Sequence, residues 1–121
     1  MNSMITFLKP DFSFSDERGF LVQLCREGWK QVNVSGTCAG TRRGGHYHKR
    51  NREAFFLVEG RMDMVLERGG EIRKCSANKG DFFVIEPYVV HSFFYPEPAV
   101  TVALYDLGVE NEDGTKDIFS L

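Results

Sequence analysis

Gly40-Thr41-Arg42-Arg43-Gly44-Gly45-His46-Tyr47-His48-Lys49-Arg50-Asn51-Arg52-Glu53-Ala54-Phe55-Phe56-Leu57-Val58-Glu59-Gly60-Arg61-Met62-Asp63-Met64 alternates short apolar runs with glycine and polar clusters. Runs of this length bounded by turn residues read as strands, here Arg43–His48, Ala54–Glu59 and Met62–Arg68. The alternation is clearest in Arg61-Met62-Asp63-Met64, with apolar residues on one face and charged ones on the other. Gly60 separates two strands, and Gly69-Gly70 has the composition of a two-residue hairpin loop before Glu71–Cys75. Working outward, Met4–Leu8, Gly19–Leu24, Val32–Ser35, Phe82–Glu86, His91–Tyr95 and Val100–Leu107 read the same way. No segment carries ten or more residues of helical periodicity. About ten short strands in one chain predict an all-β domain, either a closed barrel or a two-sheet sandwich, architectures that protect their edges.

The chain has 121 residues and 13.8 kDa, which fits one domain over residues 1–121 on the usual scale of roughly 100–200 residues per domain. No segment repeats or is of low complexity. A chain of this length buries enough surface to fold without disulfides or a structural metal, so any metal would serve function. Fifteen Lys and Arg against seventeen Asp and Glu leave a net charge of −2, which offers no basic field for a nucleic acid. Cys25, Cys38 and Cys75 are scattered and odd in number, which fits a reducing compartment rather than a disulfide framework. The opening MNSMITFLKP lacks the pattern of a secretory signal, and no run approaches 18 apolar residues. A cytoplasmic protein without membrane association is expected.

The three histidines carry the chemistry. His46 and His48 lie two apart in an expected strand, so both rings point to one face and can reach one point. The spacing from Gly40 through His46, His48 and Glu53 to Gly60 satisfies the first motif of the cupin superfamily, over about residues 40–60. Gly80, Pro87 and His91 resemble the second motif, over about 80–95, with Val90 near the usual glycine, one residue fewer between Pro87 and His91, and Tyr95 in place of the usual Asn. The resemblance implies a single-domain jelly-roll β-barrel, the double-stranded β-helix. In cupins the positions matching His46, His48, Glu53 and His91 converge on a divalent metal. Three imidazoles and one carboxylate suit a transition metal, zinc first and Mn, Fe, Ni or Cu after it, better than Mg or Ca.

A narrower resemblance begins at Asp16-Glu17-Arg18-Gly19-Phe20 and Gln31-Val32-Asn33-Val34-Ser35, which are similar to elements of dTDP-4-dehydrorhamnose 3,5-epimerases. Arg43-Gly44-Gly45-His46-Tyr47-His48-Lys49 is similar instead to dTDP-4-keto-6-deoxyglucose 3,4-ketoisomerases. The run through Glu53 and the ending Glu110…Asp117-Ile118-Phe119 resemble the cupin domain of capsular polysaccharide assembling proteins. These relatives imply an isomerase acting on a nucleotide diphosphate 4-keto-6-deoxyhexose in cell-surface polysaccharide synthesis. The 4-keto group acidifies the neighbouring C–H, so the reaction needs a base and an electrophile for the enolate oxygen. Without a metal, the resemblance makes His46 the base, with His48 assisting. With one, the ion polarises the ketone and Tyr95, Tyr105 or Lys49 moves the proton. The lysine that the epimerases carry nine positions after the base falls here on Phe55.

Arg18 and Arg43 match arginines of these motifs and are expected to grip the diphosphate, with Arg42 as an alternative. Gln31 and Asn33 alternate along one strand and can present two amides to the sugar. The pair Gly44-Gly45 marks a bulge or a close approach of backbone or ligand. Phe55-Phe56, Phe82-Phe83 and Phe93-Phe94 send one ring to each face of a strand, so the second ring of each pair is expected to face outward or onto a partner, and the resemblance to cupins of this type, commonly dimers, implies a homodimer. The tail Glu110–Leu121 begins polar and ends apolar, so its last residues are expected to dock on another surface. Two other functions compete: a non-catalytic binder of sugars or nucleotide sugars, and a metal-dependent oxygenase on another small molecule.

Overall fold

A computed structural model describes residues 3–120. The strands are β1 (Ile5–Leu8), β2 (Phe12–Asp16), β3 (Gly19–Gln23), β4 (Gln31–Thr37), β5 (Thr41–Tyr47) and β6 (Glu53–Glu59). They continue as β7 (Arg61–Arg68), β8 (Glu71–Asn78), β9 (Phe82–Ile85), β10 (Val90–Tyr95), β11 (Ala99–Tyr105) and β12 (Phe119–Ser120). One sheet has the order β1-β9-β6-β11-β4, the other β12-β5-β10-β7-β8, and β2-β3 forms a separate ribbon. From β4 to β7 and again from β8 to β11 each successive strand switches sheet, which winds the chain into a two-sheet jelly roll. Every expected strand is present within a few residues at its ends.

Local sequence explains the corners. Arg68 pairs with Glu71 across Gly69 and Gly70, both at positive φ (59° and 84°), which is the backbone that a two-residue hairpin matching strand twist requires. On β5, the register to β10 runs His46 to His91 and then Gly44 to Ser92, leaving Gly45 as the extra residue of a bulge. Gly44 has φ 94°, and a Cβ there would lie 2.5 Å from the His91 carbonyl oxygen. The absent side chain thus lets β5 close onto β10 beside the histidines.

The core between the sheets holds Phe55, Leu57, Met62, Met64, Leu66, Phe83, Ile85, Phe93 and Tyr95. A second cluster lies on the opposite face of the first sheet, where Phe56, Phe82, Val84 and Leu104 pack under Val22, Leu24, Cys25 and Trp29. This corrects the reading of the paired phenylalanines. Phe56 and Phe82 are the outward rings of their pairs, but the ribbon and the segment after it bury them within the chain. Phe94 is half-buried, with the Arg42 guanidinium 4.9 Å above its ring. The tail does dock, since β12 pairs with β5, Phe119 opposite Tyr47 and Ser120 opposite His46; Leu121 lies outside the described residues. Among the described residues no helix is long and apolar enough to cross a membrane.

Candidate active site

Strand register assembles the cluster. His46 on β5 stands opposite His91 on β10, and Glu53 at the start of β6 stands opposite Tyr105 at the end of β11. His48 follows β5 directly and turns its ring to the same point. The ring centroids of His46, His48 and His91 lie 4.6 to 5.4 Å apart. One ligand-type atom from each of His46, His48, Glu53 and His91 lies within 4.8 Å of all the others.

Glu53, His48 and His91 are buried, while His46 is half-buried. The Glu53 carboxylate lies 3.0 Å from His48 Nε2 and 3.4 Å from His91 Nε2. Burial alone would push this carboxyl up, but hydrogen bonding and the charge of the two imidazoles hold it down at about 2. Burial likewise opposes protonation of His48, yet the Glu53 hydrogen bond and charge outweigh it and raise its pKa. His46 moves the other way, to about 4, through burial and then the neighbouring His91. It is therefore neutral at pH 7. His91 Nδ1 donates to the Val89 carbonyl at 3.1 Å, while its buried Nε2, 3.4 Å from Glu53, makes no well-formed hydrogen bond.

A cavity of about 410 Å³ reaches this cluster, lined by Asn33, Ser35, Arg43, His46, Tyr95 and Tyr105 among others. Burial raises the pKa of both tyrosines; Arg43 pulls Tyr95 back in part, whereas the Glu53 charge drives Tyr105 further up, well beyond the ordinary tyrosine range. Both phenols stay protonated and serve as hydrogen-bond donors. Arg43 is clamped to β4 by Nε to Thr37 Oγ1 at 2.9 Å and Nη2 to the Gly36 carbonyl at 3.3 Å, which uses two of its five N–H donors.

Four of the expected site residues stand elsewhere. His48 contributes to the cluster from behind and does not line the cavity; its Nδ1 lies 2.6 Å from the Asp117 carbonyl. Lys49 is turned outward, its Nζ 4.2 Å above the Phe119 ring, because the chain leaves the strand direction after Tyr47. Gln31 lies outside the cavity lining and uses its Oε1 to accept from Val109 N at 2.8 Å, so Asn33 alone of the two amides faces the cavity. Arg18 lies on the exposed turn of the ribbon, bonded to Asp16, and is not part of the cavity of its own chain. Sequence reasoning had no signal for Thr101, which lines the cavity, or for the buried pair Asn51 and Asp117 behind His48.

A jelly roll with two histidines just past a strand bulge, a carboxylate on the next strand and a third histidine opposite the first has the cupin fold. The family model for the polysaccharide biosynthesis C-terminal domain matches residues 14–93, and the chain belongs to that family. Among solved structures it is similar to QdtA, a sugar 3,4-ketoisomerase from Thermoanaerobacterium thermosaccharolyticum in complex with TDP. That match has 21% identity, a TM-score of 0.81, and covers 100% of this chain and 90% of the other. It is similar too to the WlaRB TDP-quinovose 3,4-ketoisomerase from Campylobacter jejuni, with 19% identity, TM-score 0.76 and 93% and 92% covered. A third is dTDP-4-dehydrorhamnose 3,5-epimerase from Sulfolobus tokodaii, with 24% identity, TM-score 0.73 and 87% and 71% covered. No curated protein matches the chain by sequence.

Proposed function

We propose that this chain is a cytoplasmic epimerase or ketoisomerase of a nucleotide diphosphate 4-keto-6-deoxyhexose. The observation that carries the reading is a cavity with a clamped arginine in its wall and a neutral histidine at the cluster end. The named activities of the similar structures, one of which is bound to TDP-4-keto-6-deoxyglucose, supply the substrate class. His46 takes the proton from the carbon next to the ketone, and the C–H electron pair becomes the enolate, with its charge on the former ketone oxygen. Tyr95 and Tyr105 donate hydrogen bonds to that oxygen. Return of the proton to the opposite face of the same carbon gives the epimer; transfer of the O3 proton to O4 gives the isomeric enediolate, and protonation at C4 then leaves the carbonyl at C3. Arg43 binds the diphosphate with its remaining N–H groups. Three free cysteines accord with the cytoplasmic placement.

The test is to incubate the protein in deuterated water with dTDP- and UDP-linked 4-keto-6-deoxyhexoses and follow the sugar protons by NMR. Deuterium at C3 alone indicates a C3 epimerase, deuterium at C4 with loss of the C3 proton a ketoisomerase, and deuterium at C3 and C5 a double epimerase. Binding without exchange would replace this reading with a non-catalytic binder, and failure to bind would favour an oxygenase on another substrate.

The unpartnered Nε2 of buried His91 favours a second element, a divalent transition metal, zinc first, held by His46, His48, Glu53 and His91. The donor set fits, since a buried carboxylate and three imidazoles converge with one nitrogen unused. Such an ion supplies Lewis-acid polarisation of the ketone oxygen. With such an ion His46 would be a ligand, and Tyr95, protonated beside Arg43, would deliver the returning proton, the first proton being removed by a group outside the ligand set. The variant His91→Asn is expected to lose both bound metal, measured by elemental analysis, and proton exchange. Exchange that persists with metal content unchanged would remove the ion from the mechanism.

A homodimer is part of the same proposal. The ribbon exposes Phe12, Phe14, Phe20 and Leu21, each by half or more, and edge strand β4 exposes Val32 and Val34. A two-stranded ribbon is marginal alone, and an open apolar edge invites pairing, so a second copy covering both is favoured. Light scattering should give about twice 13.8 kDa; a 13.8 kDa species at micromolar concentration would refute the dimer.

A further inference from the structure

We infer that Asp117, from the C-terminal segment, is a positioning residue of the site: its carboxylate ties that segment to the loop after His48, and its own carbonyl then fixes the His48 ring. The geometry is specific. Asp117 is 2% exposed, and its carboxylate accepts from Lys49 N at 2.8 Å, Arg50 N at 3.0 Å, Asn51 N at 2.9 Å and Asn51 Nδ2 at 2.8 Å. Three successive backbone amides turned onto one carboxylate define the loop that leads from His48 to Glu53. Asn51, equally buried, closes the network by donating to the Gly108 carbonyl and accepting from Leu107 N. The Asp117 carbonyl lies 2.6 Å from His48 Nδ1, so that nitrogen carries the proton and donates, and Nε2 is directed at Glu53.

A ring nitrogen held by a backbone carbonyl is how proteins orient a functional imidazole, and loss of such a partner costs about 10–100-fold in activity or metal affinity. Here the carbonyl comes from 69 residues away in sequence. It stays in place because the side chain of the same residue is anchored, with β12 pairing onto β5 just beyond it. A structural tail would need the pairing and the apolar contact of Phe119 with Tyr47. It would not need a buried carboxylate receiving three amides next to a histidine of the cluster. The inference rests on the reading of His48 and Glu53 as part of the active site.

The experiment compares the wild type, Asp117→Asn and Phe119→Ala by two readouts. The first is the His48 Nδ1–H resonance by nitrogen-15 NMR and its protection from exchange with water, which needs neither substrate nor metal. The second is the kcat and KM of sugar proton exchange. Asn preserves size but turns an NH2 group toward backbone donors, so Asp117→Asn is expected to lose the protected His48 proton. Its kcat should fall at least tenfold, with KM within threefold. Phe119→Ala loosens the same segment without touching the carboxylate and should show a smaller loss of both. It decides the matter should Asp117→Asn fail to fold. A folded variant of either kind with the His48 proton protected and kcat unchanged overturns the inference. A wild type that shows the protected proton but no sugar exchange would instead refute the proposed function and leave the positioning role standing.

Discussion

His46→Asn is expected to slow deuterium incorporation into the 4-keto sugar by about 10²–10⁴-fold, the usual contribution of a positioned general base. The same substitution should leave affinity for TDP within about threefold, because the diphosphate is assigned to Arg43. His46 is the histidine for this test because it is half-buried, lines the cavity and is neutral at pH 7, with a pKa near 4. Stability should change little, since Asn is polar, smaller and placed at the cavity wall. His48→Asn provides the contrast. His48 is 3% exposed and holds the Glu53 carboxylate, so its loss leaves a buried charge with a weaker partner and lowers the melting temperature as well as the rate. A His46→Asn protein retaining more than a tenth of the wild-type rate would remove His46 as the base.

The ten strands read from the sequence are all present because each carries a period of two or a short apolar run that the sheets can bury. Two strands escaped the reading. β2 is Phe-Ser-Phe-Ser-Asp, whose period of two was a usable strand signal, although both of its rings stay half or more exposed on the ribbon. β12 is two residues long and exists only because β5 offers it an edge. The four residues of the cluster were legible because their spacing is local to a strand or a turn, and the barrel brings those local pieces to one point. Side-chain direction was less legible. Lys49 follows His48 immediately, yet it points at Phe119, since three amides folding onto Asp117 redirect the chain there. Gln31 and Asn33 alternate as expected, but only Val109, 78 residues away, reveals that Gln31 is spent on a backbone amide. Long-range partners of this kind leave no periodic trace. The same limit explains the outward phenylalanines, covered by Val22 and Leu24 from an expected strand whose packing partner the sequence does not name and by Cys25 and Trp29 from the connection after it.

Phe83→Ala is expected to destabilise the protein by about 3–5 kcal/mol, a large share of the roughly 5–15 kcal/mol that holds most domains together. Phe83 is fully buried on β9, paired in register with Phe55 of β6 and Phe7 of β1. Its ring stacks on Phe55 at 5.5 Å, Phe55 meets Phe93 edge-on at 5.1 Å, and Phe93 stacks on His91 at 5.4 Å. Removing the first ring of that series opens a void that strands β6 and β9 cannot collapse, because each is hydrogen-bonded on both sides. The melting temperature should drop by at least 10 °C, at several degrees per kcal/mol for a domain of this size. Phe7→Ala, at a position 48% exposed and touching the same ring, should cost less than about 1 kcal/mol. If Phe83→Ala melted within 3 °C of the wild type, the barrel would be plastic enough to refill the space. His91, at the far end of the same stack of rings, would then owe its position to the β5 bulge and the Val89 carbonyl rather than to the aromatic core.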